Sequence, residues 1–310
     1  MWKRVFVFSF CGLFLALAQI AFGPDSTITA QGKKPSQVLR QVEEQQVKLL
    51  GSFDSDVSDG KAQLYEWESR AEKLRQFTAD RVAGLNIADW KGDELLALAT
   101  LYQQAELFAQ AASSYRAYLA GGPKDRDAEN ARVALTRALL ENGQLEEAQK
   151  LLDERFRQMP NDELRLISSV ALHKDLTVAW RDRGKYGEVI KEARRGYDLA
   201  DNNEKFRRMD PRLRETVDRD QMTMAASLIA AQEKTGFKKE AEEFNQRVLK
   251  RDFDHQPGLK SFYEAEMITA RLLGNSAPEL VTARWLGNQS ETAPKTFADL
   301  RGKVILLDFW

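Results

Sequence analysis

Cysteine is almost missing from this chain: among 310 residues, Cys11 is the single one. No disulfide can therefore form within the chain, and no site built on several cysteines can exist in it. Histidine is nearly as scarce. His173 and His255 lie far apart in sequence, and neither belongs to the cluster of Cys, His or carboxylate ligands that a zinc site takes. Eight prolines and eighteen glycines are few for this length, which favours long helices over many short strands. Charge of one sign is also lacking: 46 Lys and Arg stand against 47 Asp and Glu. That balance excludes the global basic excess that marks a nucleic-acid-binding chain. There is no Walker phosphate loop, no G-x-G-x-x-G and no G-x-S-x-G.

What is present begins with a basic leader, Lys3 and Arg4, followed by an almost wholly apolar run from Val5 to Phe22 that Gly23, Pro24 and Asp25 end. This is the layout of a secretory signal, with Ala16-Leu17-Ala18 as a cleavage candidate and Ile28-Thr29-Ala30 as a weaker one. The run is close to the length that spans a bilayer, so an uncleaved anchor is the alternative, with Lys3 and Arg4 holding its start in the cytoplasm. Cys11 reads as one more small apolar residue of this run. Phe10 stands before it where a lipobox would want Gly or Ala. Residues 1–30 are thus expected to be a signal peptide or membrane anchor and 31–36 a linker. The expected location is extracytoplasmic, in a bacterial periplasm or anchored facing it.

From Gln37 to about Leu273 apolar positions recur at three and four residues, the period of helices. Leu95, Leu98, Ala99 and Tyr102 fall on one face; Ala111, Tyr115 and Tyr118 follow on a second helix, and Pro123 comes after it. Leu135, Leu139, Gly143, Ala148, Leu152 and Pro160 repeat the layout. Gly143, Gly184 and Gly236 each sit at an expected inter-helix turn, where glycine takes the left-handed conformation cheaply. Each is followed five residues later by a small or β-branched residue: Ala148, Val189 and Ala241. The turn positions 106, 143, 184 and 236 are 37, 41 and 52 residues apart, so the copies are degenerate.

Those spacings resemble the tetratricopeptide repeat. The resemblance implies a mostly α chain, an α-solenoid of paired helices over residues 37–275, in which each pair buries its apolar face only against its neighbours. It also implies a concave face that takes a protein or peptide partner.

Several other features carry less. Asp54, Asp56 and Asp59 suggest a calcium loop, but an EF-hand wants Gly sixth and Glu twelfth, where this chain has Asp59 and Tyr65. Six basic residues between Lys205 and Arg219 are matched by six acidic ones between Asp201 and Asp220, which reads as a mixed, solvated face. His173 on a helix and His255 before Pro257 read as structural or exposed.

After Asn275 the character changes. Glu279 to Trp285 reads as a strand. Val304 to Phe309 is a near-continuous apolar run of the kind buried on both sides of an α/β sheet, and some 35 residues are too few to fold alone. Ala277-Pro278, Trp285 to Gly287, and the run Leu300-Arg301-Gly302-Lys303 through Phe309-Trp310 resemble the opening of a TlpA-like thiol-disulfide oxidoreductase domain. The resemblance covers about the last tenth of the chain.

It implies that residues 276–310 are the first strands of an incomplete thioredoxin-like domain, which continues past Trp310 into a Trp-Cys-x-x-Cys dithiol. It places Asp308 where a buried carboxylate relays protons behind that dithiol. The intact protein would exchange disulfides with a protein substrate and a reductant partner. It would need no cofactor, metal or nucleic acid, and would touch a membrane only through its N-terminus. The present chain, without the cysteines, would be inactive. Two other readings stay open: an AhpC/TSA-type peroxiredoxin, and a non-enzymatic repeat scaffold of the cell envelope.

Overall fold

A computed structural model describes residues 33–51, 66–157, 163–202, 208–251, 253, 256, 258–273 and 275. The chain is mostly α. Among the described residues there are eleven α-helices, one 3-10 turn (Ile87–Asp89) and no strand. The helices are α1 (Pro35–Leu50), α2 (Glu66–Val82), α3 (Asp93–Gln104), α4 (Phe108–Ala120), α5 (Asp125–Glu141) and α6 (Leu145–Arg157). They continue with α7 (Glu163–Asp182), α8 (Tyr186–Asp201), α9 (Pro211–Lys234), α10 (Lys238–Leu249) and α11 (Leu259–Leu272). None of them is long and apolar enough to cross a membrane.

α1 starts inside the stretch expected to be linker. Pro35 occupies the first helical turn, where its missing N–H costs nothing, and the Lys34 N–H donates to Oε1 of Gln37 at 3.1 Å. Ser36 is tied down as well. Its backbone N–H and its hydroxyl donate to the two carboxylate oxygens of Glu94 on α3, at 2.9 and 2.8 Å.

The substantial helix contacts join helices one or two apart in the chain. Each of α1, α3, α5, α7 and α9 packs on the helix after it. α2, α4, α6 and α8 pack in turn on the next odd-numbered helix. α1 with α3, α5 with α7, α7 with α9 and α9 with α11 pack directly. The core follows this order in three apolar clusters. One runs from Val38 to Ala148, one from Leu166 to Ala270, and the third, around Leu152, Leu176 and Trp180, lies between them.

One turn is built four times. Glu106, Gly143, Gly184 and Gly236 all have left-handed backbone, with φ of 59°, 80°, 67° and 91°. Each donates its N–H to the carbonyl three residues back. The following residue (Leu107, Gln144, Lys185, Phe237) donates to the carbonyl five back, at 2.8 to 3.0 Å. This pair of bonds is the Schellman cap, which satisfies carbonyls that a helix end leaves open. The next helix then starts with no further linker. Its first intrahelical bonds run from Ala111, Ala148, Val189 and Ala241 to the carbonyls of Leu107, Gln144, Lys185 and Phe237.

Counting back eight residues from each turn gives Leu98, Leu135, Leu176 and Leu228, all buried. Burying such a leucine contributes about 1.5–3 kcal/mol. The two full copies expected from sequence, from Leu95 to Tyr118 and from Leu135 to Leu152, place every one of their named apolar residues in the core.

The odd-numbered helices supply about half of the drift in period; the rest comes from the longer α8 and from the longer connection between α8 and α9. α3, α5, α7 and α9 have 12, 17, 20 and 24 residues. Because the turn fixes their C-terminal ends, the added residues extend the N-terminal ends.

Candidate functional site

Three positions of the odd-numbered helices, at three, six and ten residues before the turn, lie at helical spacing on one side. That side is roughly opposite the stripe formed by the buried leucine eight before the turn and the residue four before it. In α3 it carries Leu96, Thr100 and Gln103. In the longer helices it mixes apolar residues (Val133 and Leu140 on α5, Val178 on α7, Ala226 and Ala230 on α9) with charged ones: Arg137 on α5, Lys174 and Arg181 on α7, and Glu233 on α9.

Lys174 Nζ lies 2.5 Å from Asp175 Oδ1 and 3.8 Å from Oδ1 of Asp220 on α9. The side chains of Lys174 and Asp220 are only 10% and 17% exposed. The Arg137 guanidinium also acts on both groups. Arg181 donates to Ser227 Oγ at 3.1 Å, tying α7 to α9 two turns further on.

The two partners of the central ion pair respond in opposite ways. Burial pushes the Asp220 carboxyl up to about 6, and the neighbouring charge of Asp175 adds to this; Lys174 pulls the other way and loses. Burial also pulls Lys174 down, but the charges of Asp175 and Asp220 and the hydrogen bond to Asp175 outweigh it, so its pKa lies above the ordinary lysine value. The asymmetry is geometric. Lys174 faces two carboxylates, one of them at contact, whereas for Asp220 burial outweighs an ammonium at the edge of ion-pair range and the Arg137 guanidinium, with a like charge beside it.

The same side continues to the last helices, where a cleft of about 250 Å³ is lined by Ala230, Glu233, Lys234, Arg271 and Asn275. Arg271 forks onto Glu233 across it, with Nε 3.0 Å from Oε2. Lys234 Nζ donates to the Leu273 carbonyl. Charged groups of both signs thus line this side, largely covered and paired around Lys174 and more open at the Glu233–Arg271 cleft. Hydrogen bonds to an extended chain are the chemistry it suits.

A second polar cluster lies on the other side, under the even-numbered helices. His173 Nδ1 is 3.0 Å from Glu192 Oε2, and both side chains are essentially inaccessible. Gln149 Nε2 donates to Glu192 Oε1 at 2.7 Å, and Arg195 Nη1 reaches the same oxygen at 3.3 Å and Asp153 Oδ1 at 2.5 Å. The cluster joins α6, α7 and α8. Its central carboxylate has no access to solvent, so it reads as internal structure.

The residues singled out from sequence fare unequally. His173 is buried and partnered by Glu192, which the spacing within its own helix could not reveal. Asp308, His255, Cys11 and the acidic stretch from Asp54 to Asp59 lie outside the described residues. So do the expected leader at 1–30 and the expected strands within 276–310. The expectation that the charges from Asp201 to Asp220 form a solvated face needs correction. Asp218 is buried and Asp220 is largely covered, because α9 is enclosed by α7, α8, α10 and α11.

Lys174, Asp220 and Arg137 are not recognisable as a group from sequence. The one signal that bears on them is the run from Gln221 to Gln232, which is apolar or small on nearly all sides and so marks an enclosed helix. A charge at the border of such a helix needs a partner. Among the described residues no group of three or more His, Cys, Asp or Glu is placed to hold a metal ion. No protein-family model matches the chain, and no curated protein and no solved structure matches it.

Proposed function

We propose that the described helices form an α-solenoid of tetratricopeptide-like pairs whose odd-helix face takes a protein or peptide partner. The observation that carries this reading is the turn built four times in one register, at 106, 143, 184 and 236, with a buried leucine eight residues before each. Contacts concentrated between helices one or two apart are what a stacked array produces. The charged strip from Arg137 through Lys174 and Arg181 to Glu233 supplies the polar groups that an extended peptide needs.

The proposal extends to the whole protein through residues 276–310. Their resemblance to the opening of a TlpA-like domain supports an exported thiol-disulfide oxidoreductase, with the repeats recruiting or positioning its partner. A low-pKa thiolate beyond Trp310 would attack a substrate disulfide and form a mixed disulfide. The first attack would expel one substrate thiolate; the second cysteine would then close a disulfide with the first and release the other, leaving the substrate reduced to two thiols. Asp308 would take or give the proton of that second cysteine. The basic leader and the run from Val5 to Phe22 support a location outside the cytoplasm, in an oxidising compartment where disulfides persist.

The test begins with the codons after Trp310. A Trp-Cys-x-x-Cys stretch is expected; a stop codon or a cysteine-free continuation removes the redox chemistry and leaves a repeat scaffold. On the extended protein, Asp308→Asn should alter the pH profile of disulfide reduction. Arg181→Glu should weaken partner capture while leaving reduction of a small disulfide intact.

A further inference from the structure

Between α9 and α11 the odd-helix side opens into a cleft of about 250 Å³, lined by Ala230, Glu233 and Lys234 on one side and by Arg271 and Asn275 on the other. That volume is below the roughly 300–1,000 Å³ of clefts that hold a drug-sized ligand. It has room for one or two side chains of a larger partner.

The charges in the cleft do not cancel. Glu233 gives both carboxylate oxygens to Arg271, Oε2 to Nε at 3.0 Å and Oε1 to Nη2 at 2.5 Å. Lys234 meets no carboxylate among the described residues. Its ammonium donates to the Leu273 carbonyl and stands 5.3 Å from the centre of the Tyr186 ring. One positive charge is therefore left over at a half-covered position, and a guest carboxylate is the group that compensates it with a charge-assisted hydrogen bond.

An apolar contact lies on the same side of α11. Ile268, Arg271 and Asn275 are spaced three and four residues apart and so share a face. Ile268 is 62% exposed. Ala230 on α9 is short enough for a guest backbone to come close.

Spacing then sets the guest. Ile268 and Leu273, whose carbonyl marks the place of the Lys234 ammonium, are about 7.5 Å apart along the helix axis. Side chains two positions apart on an extended chain point the same way and stand about 7 Å apart. We propose that the α9–α11 cleft takes an extended peptide segment of the partner in which an apolar residue and an aspartate or glutamate are two positions apart. The apolar residue rests on Ile268 and the carboxylate meets Lys234. Glu264, exposed one turn before Ile268, repels an acid from that end and so fixes the direction of the pair along the cleft. This assignment rests on the odd-helix side being the partner's side, and adds to it the sequence the partner carries.

The test is selection of a displayed library of random short peptides on the full chain, followed by binding titrations of the enriched peptides. These are expected to carry the apolar–x–acidic pattern in either order. Ile268→Ser should weaken binding about tenfold, the low end for losing the burial of an isoleucine. Lys234→Gln should weaken it about threefold, an effect that fades in high salt, and Lys234→Arg should restore it. Thermal melting of each variant reports whether the helices remain packed. If Lys234→Gln melts early, the salt dependence of binding to the parent decides, and binding indifferent to salt overturns the inference. Enriched peptides without the pattern, or affinities that neither variant changes, overturn it as well. Peptides that lose affinity with Arg181→Glu alone leave the odd-helix side standing as a partner face and remove this cleft from it. A library from which nothing is enriched removes both. A dimer of the parent that Ile268→Ser dissociates would name a second copy as the occupant, which also overturns the assignment.

Discussion

The pair α3–α4 and the pair α7–α8 share a turn, a register and a buried leucine, yet their interiors differ. Eight residues past the turn, the first pair has Ser114 and the second has Glu192. Both positions are inaccessible to solvent. The core around α3 and α4 is made of alanines, tyrosines and leucines. Around Glu192 the neighbours are His173, Gln149 and Arg195. The backbone unit therefore tolerates either a dry or a polar filling. What decides is the residue at each matching position. Eleven residues before the turn α3 has Leu95 and α7 has His173; ten before it α3 has Leu96 and α7 has Lys174. A repeat register thus sets helix ends and packing distance, while single side chains inside it set the local dielectric.

The largest expected effect follows from the buried carboxylate. Glu192→Ala removes the acceptor of three side chains and leaves their polar atoms without it. It should cost about 3–5 kcal/mol in a denaturant titration. Leu151→Ala at the same register in α5–α6, where the side chain is half-buried, should cost less. If the two losses are equal, the contrast between polar and dry interiors has no energetic meaning.

Gly196→Ala should come next, at about 1–3 kcal/mol, the range for overpacking. A Cβ there would overlap Sδ of Met224 on α9 and stand 2.6 Å from Cβ of His173 on α7. The matching positions in α4 and α10 hold Tyr118 and Val248, so of these three helices α8 alone relies on a missing side chain. A Gly196→Ala variant as stable as the parent would show that α8 can move away from its neighbours.

The pH dependence sharpens the same comparison. Asp220 has a folded pKa of about 6, raised by burial from the ordinary carboxylate value of 3.8, so between those values the folded state binds more protons than the unfolded one. Its contribution to stability is fully present at low pH and is lost as pH rises from about 4 through about 6. At about 1.36 kcal/mol per pH unit the loss is at most about 3 kcal/mol. Lys174 behaves differently. Its raised pKa gives a contribution that persists at neutral pH and is lost only above the ordinary lysine range. Asp220→Asn should therefore flatten the thermal-stability curve between about pH 4 and 6. A curve that keeps its slope there would assign it to other carboxylates.

The smallest effects concern the shared turn. Left-handed backbone costs a non-glycine residue about 1–2 kcal/mol. Gly236→Ala should lose about that much, since open space surrounds the position and only the φ of 91° resists. Glu106→Gly should gain up to about 1 kcal/mol, because the relief of strain is partly offset by the greater freedom of glycine in the unfolded chain. Opposite signs in paired melting curves are the result that supports one common turn.

Much of the helical body is legible in the order of residues. The three turn glycines can be recognised because their requirement is local: only glycine adopts that backbone without strain. The stripe residues from Leu95 to Tyr118 are legible for a similar reason, since helical periodicity shows which side is buried. Glu106 can be placed only by the spacing of the later turns. The polar clusters are not legible. Lys174 and Asp220 are 46 positions apart, and His173 and Glu192 are 19 apart, on different helices; no local pattern encodes their meeting. The enclosed stretch of α9 is the nearest thing to a warning.

That the chain is mostly helical, where its helices turn, and which leucines and alanines they bury all follow from a residue and its neighbours within a few turns. These are short-range requirements of backbone conformation and apolar spacing. That His173 faces Glu192, that Lys174 meets Asp220 under cover, and that the stretch of α9 from Gln221 to Gln232 is buried throughout are outcomes of another kind. They depend on which helices stack and how far each extends, and packing across the whole array settles them.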